Sequence, residues 1–310
     1  MLDNAKSMDA LDQLQNAIID EAAKKRQQDK PVYKFNKMKM YFGEDYEVIP
    51  GIVVSQPKIG DIIPIGEDDF YRSLSPFLYN STSIRLFLWK NKIDWCDVSD
   101  IEVFAMLIGQ SNPEVLKLFF KDISFDDIQL IGFKKQAENE SQDANNESEE
   151  NGENEDADSD TKKASQKKAK EKPQLALISE SQDIVIMEKD YMALAEYIRQ
   201  TLNIHPKVEK AKGKATKKWM IQEDEMNLAY RMNEDKDTST LLPLISTCVN
   251  HSGFKYNSEE VKSVGIYEFM DSVQRLQIID ATKALLMGQY NGFCDLSKIP
   301  KENFNYFREI

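Results

Sequence analysis

From Glu138 to Lys172 the chain carries no aromatic residue and no Val, Ile, Leu or Met. Such a stretch cannot bury the apolar surface that offsets the conformational entropy of folding, so it is predicted to be disordered. Its first part, Glu138 to Asp160, holds eleven acidic residues and no Lys or Arg, and the basic run Lys162–Lys170 follows. A core must therefore be built from the chain on either side. The flanks indicate how. Asp127–Phe133 has a strand pattern, and Leu175–Ile178 and Ile184–Met187 flank the turn-like Glu180–Asp183 as a hairpin. The simplest arrangement inserts the tract in a loop between adjacent strands, an inexpensive excursion because closure entropy grows slowly with loop length. The expected organisation is an N-terminal helix over 1–30, a first part of the folded domain over 31–134, the insertion over 135–173, and a second part of the same domain over 174–310.

The net charge is −13, and without those eleven acidic residues it is −2. The acidity belongs to one segment, and a nearly neutral fold argues against a general nucleic-acid binder. Cys96, Cys248 and Cys294 are odd in number and form no Cys-x-x-Cys, as expected in a reducing compartment. No apolar run approaches eighteen residues, and the N-terminus is polar from its third residue, which predicts a soluble intracellular protein without a membrane span.

Elements follow from periodicity and caps. Met8, Leu11, Leu14, Ile18 and Ala22 recur at helical spacing. One narrow stripe needs something to dock on, which makes Leu11, Leu14 and Ile18 candidate partner-binding residues. Phe35, Met38, Met40 and Phe42 largely alternate with polar residues and predict a strand, with Glu47–Val54 as its hairpin partner or neighbour and Pro50–Gly51 at a turn or edge. Glu67–Leu78 reads as a helix with Phe70 and Leu74 inward. Short helices follow behind Ser81–Ser83, the capping box Ser99–Glu102 and Asn112–Pro113. Asp190 is placed to cap a helix ending before His205–Pro206, and further helices are expected around Trp219–Met232 and Thr238–Val249. The strongest helical pattern runs from Gly265 to Gly288. Ile266, Phe269, Met270, Val273, Leu276 and Ile279 form its apolar face, Asp271 and Arg275 can pair, and Gly288 stands as a C-cap. Phe269, Met270, Val273 and Leu276 are taken as its structural signature. The fold class expected is mainly helical α+β. A small antiparallel sheet from strands near 35–54, 128–133 and 175–187 carries packed short helices, with a C-terminal helical bundle.

Chemistry is sparse. His205 and His251 have no second ligand at metal spacing. Cys248 and His251 lie three apart, where a buried thiol beside a helix-end histidine is the simpler account. Gly213–Thr216 imitates a phosphate loop, but position 208 is Val where the motif needs glycine. No catalytic residue, metal site or cofactor is therefore expected. The lysine run from Lys207 to Lys218 remains, and Lys214, Lys217, Lys218 and Trp219 are candidate partner-binding residues, with a solvated loop as the competing account.

Several stretches resemble a family of tail-region proteins from tailed phages of gut bacteria, described as tail assembly chaperone-like. They are Val53–Ile63 with Gly66–Glu67 and Phe70–Tyr71, Ile93–Trp95 with Phe104, Asn250 with Gly253–Tyr256, Ile266–Gln274, and Gly288–Gly292 with Lys298–Ile299. The N-terminal helix and the acidic tract depart from the family pattern. The resemblance implies a non-catalytic assembly chaperone that binds tail proteins such as the tape measure or tail tube in the host cell cytoplasm, with homo-oligomerisation open and no small-molecule substrate. The alternative it allows is a structural virion component, a tail or baseplate adaptor retained in the particle.

Overall fold

The computed structural model describes residues 33–133, 174–232, 239–291 and 299–310. The N-terminal stripe with Leu11, Leu14 and Ile18 and the tract from Glu138 to Lys172 lie outside the described residues. The chain is mainly helical α+β. Ten α-helices and five strands are labelled here: α1 (Lys37–Tyr41), β1 (Tyr46–Ile49), β2 (Ile52–Val54), α2 (Ile59–Ile62), α3 (Glu67–Leu78), α4 (Arg85–Lys90), α5 (Asp100–Leu107), α6 (Pro113–Phe119), β3 (Gln129–Phe133), β4 (Gln174–Ser179), β5 (Ile184–Met187), α7 (Glu188–Leu202), α8 (Lys214–Met232), α9 (Leu241–Asn250) and α10 (Ile266–Tyr290).

Helix α3 sits at the centre. Its Phe70, Leu74, Phe77 and Leu78 are buried in the main core, as the spacing of Phe70 and Leu74 predicts. Phe77 meets Phe104 of α5 at a centroid distance of 5.2 Å and Phe120 at 5.3 Å, and Phe104 meets Tyr191 of α7 at 5.1 Å. Such aromatic pairs contribute beyond the area they bury. The end of a helix leaves carbonyls without intrahelical partners. Here α7 supplies donors: the Tyr191 hydroxyl bonds the Pro76 carbonyl at 2.8 Å, and Arg199 bonds the carbonyls of Phe77 at 2.9 Å and Tyr79 at 3.1 Å. Arg199 also reaches Asp100 at 3.1 Å, so its buried charge is paired. At the other end, the Glu67 carboxylate accepts from the Ser239 and Thr240 hydroxyls and from the backbone N–H of Thr240 and Leu241, capping α9 from outside. Burial raises the Glu67 pKa, but these four donors outweigh it and hold the group below its ordinary value.

The strands form two sheets, which corrects the expectation of one. The pair β1–β2 is antiparallel and turns at Pro50–Gly51, where Gly51 has φ +80°. A positive φ of this kind favours glycine. The other sheet has the order β3-β4-β5, antiparallel throughout. Phe133 pairs with Gln174, so the chain leaves β3 and re-enters at β4 on neighbouring positions of one ladder. The predicted strand over Phe35–Phe42 is instead the short helix α1. The Asn36 side chain accepts from the N–H of Met38 at 3.0 Å and Lys39 at 3.3 Å, the bonding of an N-cap. Only Met40 is buried, while Met38 and Phe42 face solvent, so the apparent alternation was not a sheet face.

The capping box at Ser99–Glu102 and the Asn112 cap ahead of Pro113 form as expected. The cap expected from Asp190 does not: α7 starts at Glu188 behind Met187, and Asp190 lies within its first turn. Helix α10 runs past Gly288 to Tyr290, because Gly288 continues the helix and Asn291 is the C-cap. Its apolar contacts are deepest early, at Ile266 and Phe269, with Met270, Val273 and Leu276 half-buried against the same core, while Thr282 is buried further along. Arg275, expected to pair with Asp271, donates to the carbonyls of Tyr306 and Arg308 at 2.9 Å each and holds the last described segment. The start of α10 is tied to α2 by hydrogen bonds from Ile59 N–H to Val264 O and from Ile266 N–H to Pro57 O, both 3.0 Å. A Cβ on Gly60 would stand 2.8 Å from the Lys262 carbonyl, so this approach requires glycine.

At the β4–β5 turn, Asp127 accepts from the hydroxyls of Ser181 at 2.5 Å and Ser179 at 2.9 Å, which draw its pKa down to about 2. The unfolded value is about 3.9, so this stabilisation is complete above that pH and is lost as pH falls towards 2. Urea denaturation across this range is expected to show a shallower loss of stability with acid in Asp127→Asn than in the parent.

Candidate protein-docking face

After α7 the chain turns at Asn203, which adopts the left-handed conformation with φ +53°. The next residues are pinned along 80–96. Asn80 donates to the Lys207 carbonyl at 2.9 Å, Glu209 N–H donates to Thr82 at 3.0 Å, and the Trp95 indole N–H donates to the Glu209 carbonyl at 3.0 Å. This places α8 against α4. Ile221 enters a satellite core with Leu88, Trp95, Val98, Val103 and Ala211.

Polar contacts lock the same inner face. Arg85, with 8% of its side chain exposed, forms a fork onto Asp224 of α8 at 2.5 and 2.7 Å and bonds Glu209 at 2.5 Å. The hydrogen bonds that Arg85 donates, to Asp224 first and then to Glu209, outweigh desolvation and raise the guanidinium pKa. Lys217 bonds Asp94 and lies 5.7 Å from the Trp95 ring centroid. That hydrogen bond raises the Lys217 pKa and is the main cause that lowers the Asp94 pKa. Lys217 is therefore engaged in holding the helix to the body, which takes it out of the exposed set.

The outer face of α8 differs. Trp219, Met226 and Tyr230 are 61%, 57% and 73% exposed. They sit at i, i+7 and i+11, on one side of the helix over about 16 Å. Lys214 and Lys218 are exposed near its N-terminal end, where the macrodipole disfavours cations, so the stability of the helix does not account for them. The sequence reading included Trp219 and the lysines but missed Tyr230. The spacing of 219, 226 and 230 is helical, and it reads as an outer face once Ile221 and Asp224 are seen to point at the body. The signature residues Phe269, Met270, Val273 and Leu276 belong to the core side of α10 and do not join this face.

Two other places merit comparison. A cleft of about 600 Å³ is lined by Tyr33, Lys37, His205, Tyr267, Met270 and Asp271, among others. Burial raises the Asp271 pKa, opposed by Arg275 and Lys37. The described residues lining this cleft include no Ser, Thr or Cys to act as a nucleophile. Cys248 and His251 do not form a nucleophile and base. His251 Nδ1 accepts from Gly253 N–H at 2.9 Å, which leaves Nε2–H to donate to Asp280 at 2.8 Å, and burial raises the Cys248 pKa. Among the described residues no group of His, Cys, Asp and Glu is placed to hold a metal ion, and no helix is long and apolar enough to cross a membrane.

A family model described as YomV second domain matches residues 233–310. The family is phage-derived. The match suggests a phage protein. No curated protein and no solved structure matches the chain. The matched segment contains α9 and α10, whose Leu241, Cys248, Ile266 and Phe269 lie in the same core as Phe70 and Phe77. Helix α8, with the exposed seam, precedes the match.

Arg85→Ala would leave Asp224 and Glu209 without their counter-charge. A fully buried pair broken this way costs about 3–5 kcal/mol, and the partial exposure of both carboxylates reduces the expectation to about 2–3 kcal/mol in urea denaturation. Arg85→Met combined with Asp224→Leu is expected to recover part of that loss.

Proposed function

We propose that this chain is a non-catalytic phage morphogenesis factor, a tail assembly chaperone that holds tail proteins such as the tape measure or tail tube during assembly in the host cytoplasm, and that it does so through the outer face of α8. The observation that carries this reading is the Trp219, Met226 and Tyr230 seam on a helix whose opposite side is locked to the body. Trp and Tyr dominate interface energetics, and Met adapts to irregular apolar surfaces. A straight seam at helical spacing suits a partner helix laid alongside it. Lys214 and Lys218 at one end favour a partner with carboxylates at the matching position. The phage-derived family match and the resemblances from Val53 to Ile299 support the viral setting.

The test is co-expression with the tape-measure protein of the same genome and affinity capture. Trp219→Asp/Met226→Asp/Tyr230→Asp is expected to reduce capture at least about tenfold, since each of these side chains can carry more than ~1 kcal/mol at an interface, while the thermal midpoint moves by less than about 2 °C. Asp271→Asn in the cleft is expected to leave capture intact. Undiminished capture by the triple variant would overturn the assignment to α8. Mass spectrometry of purified virions separates the chaperone, expected to be absent, from a structural adaptor present in stoichiometric amount.

A further inference from the structure

The seam on α8 extends beyond its three large residues. Ala215, Trp219, Gln222, Met226 and Ala229 are all exposed and follow one another at steps of four, three, four and three, the spacing by which one helix packs along another. At 3.6 residues per turn they fall within about 40° of one direction, and Lys217, Ile221 and Asp224, which hold α8 to the body, lie on the opposite side. None of the five is charged, so two copies of a chain of net charge −13 meet there with little repulsion.

The charges beside the seam are ordered. Lys218 and Glu225 are both exposed and stand seven residues apart on the same flank, the cation nearer the N-terminal end of α8 and the anion nearer its C-terminal end. Glu223, on the other flank, is half-buried and lines a cavity with Arg85 and Asp224. A helix marked in this way complements a second copy of itself running antiparallel. A parallel copy would set Trp219 against Trp219 and Ala215 against Ala215, and the carboxylate that Lys218 would meet there is Glu223, which is turned to Arg85.

We propose that α8 pairs antiparallel with α8 of a second copy of this chain, outer face to outer face, and that this pairing occupies the docking seam until a tail protein displaces it. With the two-fold axis between Ile221 and Gln222, Lys218 faces Glu225 of the second copy, and the same pair recurs by symmetry. Trp219 then rests between Gln222 and Met226 of that copy, and Met226 between its Ala215 and Trp219, so bulky and small side chains interleave along the seam. A seam about 21 Å long on one helix is short for a permanent dimer, which suits a contact that a partner can replace. The displacement rests on α8 being the tail-protein site, whereas the pairing itself does not.

The experiment uses the full chain. Sedimentation velocity of the parent is expected to show a dimer that dissociates on dilution, and a parent that stays monomeric up to about 1 mM would overturn the pairing. Lys218→Glu is expected to weaken the dimer about fivefold or more, and Lys218→Glu/Glu225→Lys to return it to within about twofold of the parent. A reversed pair that fails to recover would overturn the antiparallel register. The cross-link is the second measurement. Gln222→Cys lies next to the axis and is expected to give a disulfide-linked dimer under diamide, within the reach of such a bond. Ala215→Cys, on the same seam but about 20 Å from its counterpart, is expected to give none. The opposite pattern would show a parallel pair and overturn the arrangement. In the capture assay, the oxidised Gln222→Cys dimer is expected to take up at least about tenfold less tape-measure protein than its reduced form. Equal capture by both forms would leave the pairing standing and sink α8 as the tail-protein site.

Discussion

The structure depends on how the two ends of α3 are completed. A helix interior satisfies its own backbone, but its termini do not, and a buried terminus must find donors or acceptors elsewhere. Near the C-terminal end of α3, α7 contributes Tyr191 and Arg199 to three carbonyls. At its N-terminal end the relation reverses, and Glu67 of α3 completes α9. The chain before Phe133 and the chain after Gln174 thus cap each other's helices. The aromatic cluster around Phe77 adds apolar area to that arrangement, while the caps fix which helix ends meet.

Helix α8 obeys a different logic. Its inner face is held by Ile221, by the Arg85 fork on Asp224 and by Lys217 on Asp94. A guanidinium with five donors and planar geometry suits such a fork better than an ammonium would. With the inner side attached, Trp219, Met226 and Tyr230 on the outer side stay exposed among the described residues, and three of them in line are more than the scattered surface hydrophobics of an ordinary protein.

Much of the secondary structure was legible because its signals are local. The Ser99–Glu102 box, Asn112–Pro113, Pro50–Gly51 and the Phe70/Leu74 spacing each specify a conformation within a few residues. Phe35–Phe42 was misread because alternation over eight residues also fits an irregular segment, and the capping Asn36 decided the outcome. The buried arginines were not legible. Nothing near Arg85 in sequence announces Asp224 or Glu209, and a charged residue inside an apolar run reads as a solvent-facing position until its partners arrive from more than a hundred residues away. The same distance concealed the role of Lys217, whose neighbours Lys214 and Lys218 look identical in sequence. Of the candidate docking set, Trp219 was found by composition, whereas Tyr230 required knowing which side of α8 faces the body.

The position of the phage-family match bears on what can be transferred from it. Within residues 233–310, Leu241, Cys248, Val261, Val264, Ile266 and Phe269 join the core that α3 and α7 share. The bond from Ile266 to Pro57 and the Gly60 approach to Lys262 join the start of α10 to a stretch far outside the match. Two of the stretches that resemble the tail-region family, Val53–Ile63 and Ile266–Gln274, meet at that junction. Their coincidence is therefore a packing constraint, since a change at Gly60 must be answered near Lys262. The exposed seam of α8 lies outside the match and outside those stretches. A protein sharing only residues 233–310 would share the α9–α10 part of the core and would lack the exposed seam of α8, which precedes the match.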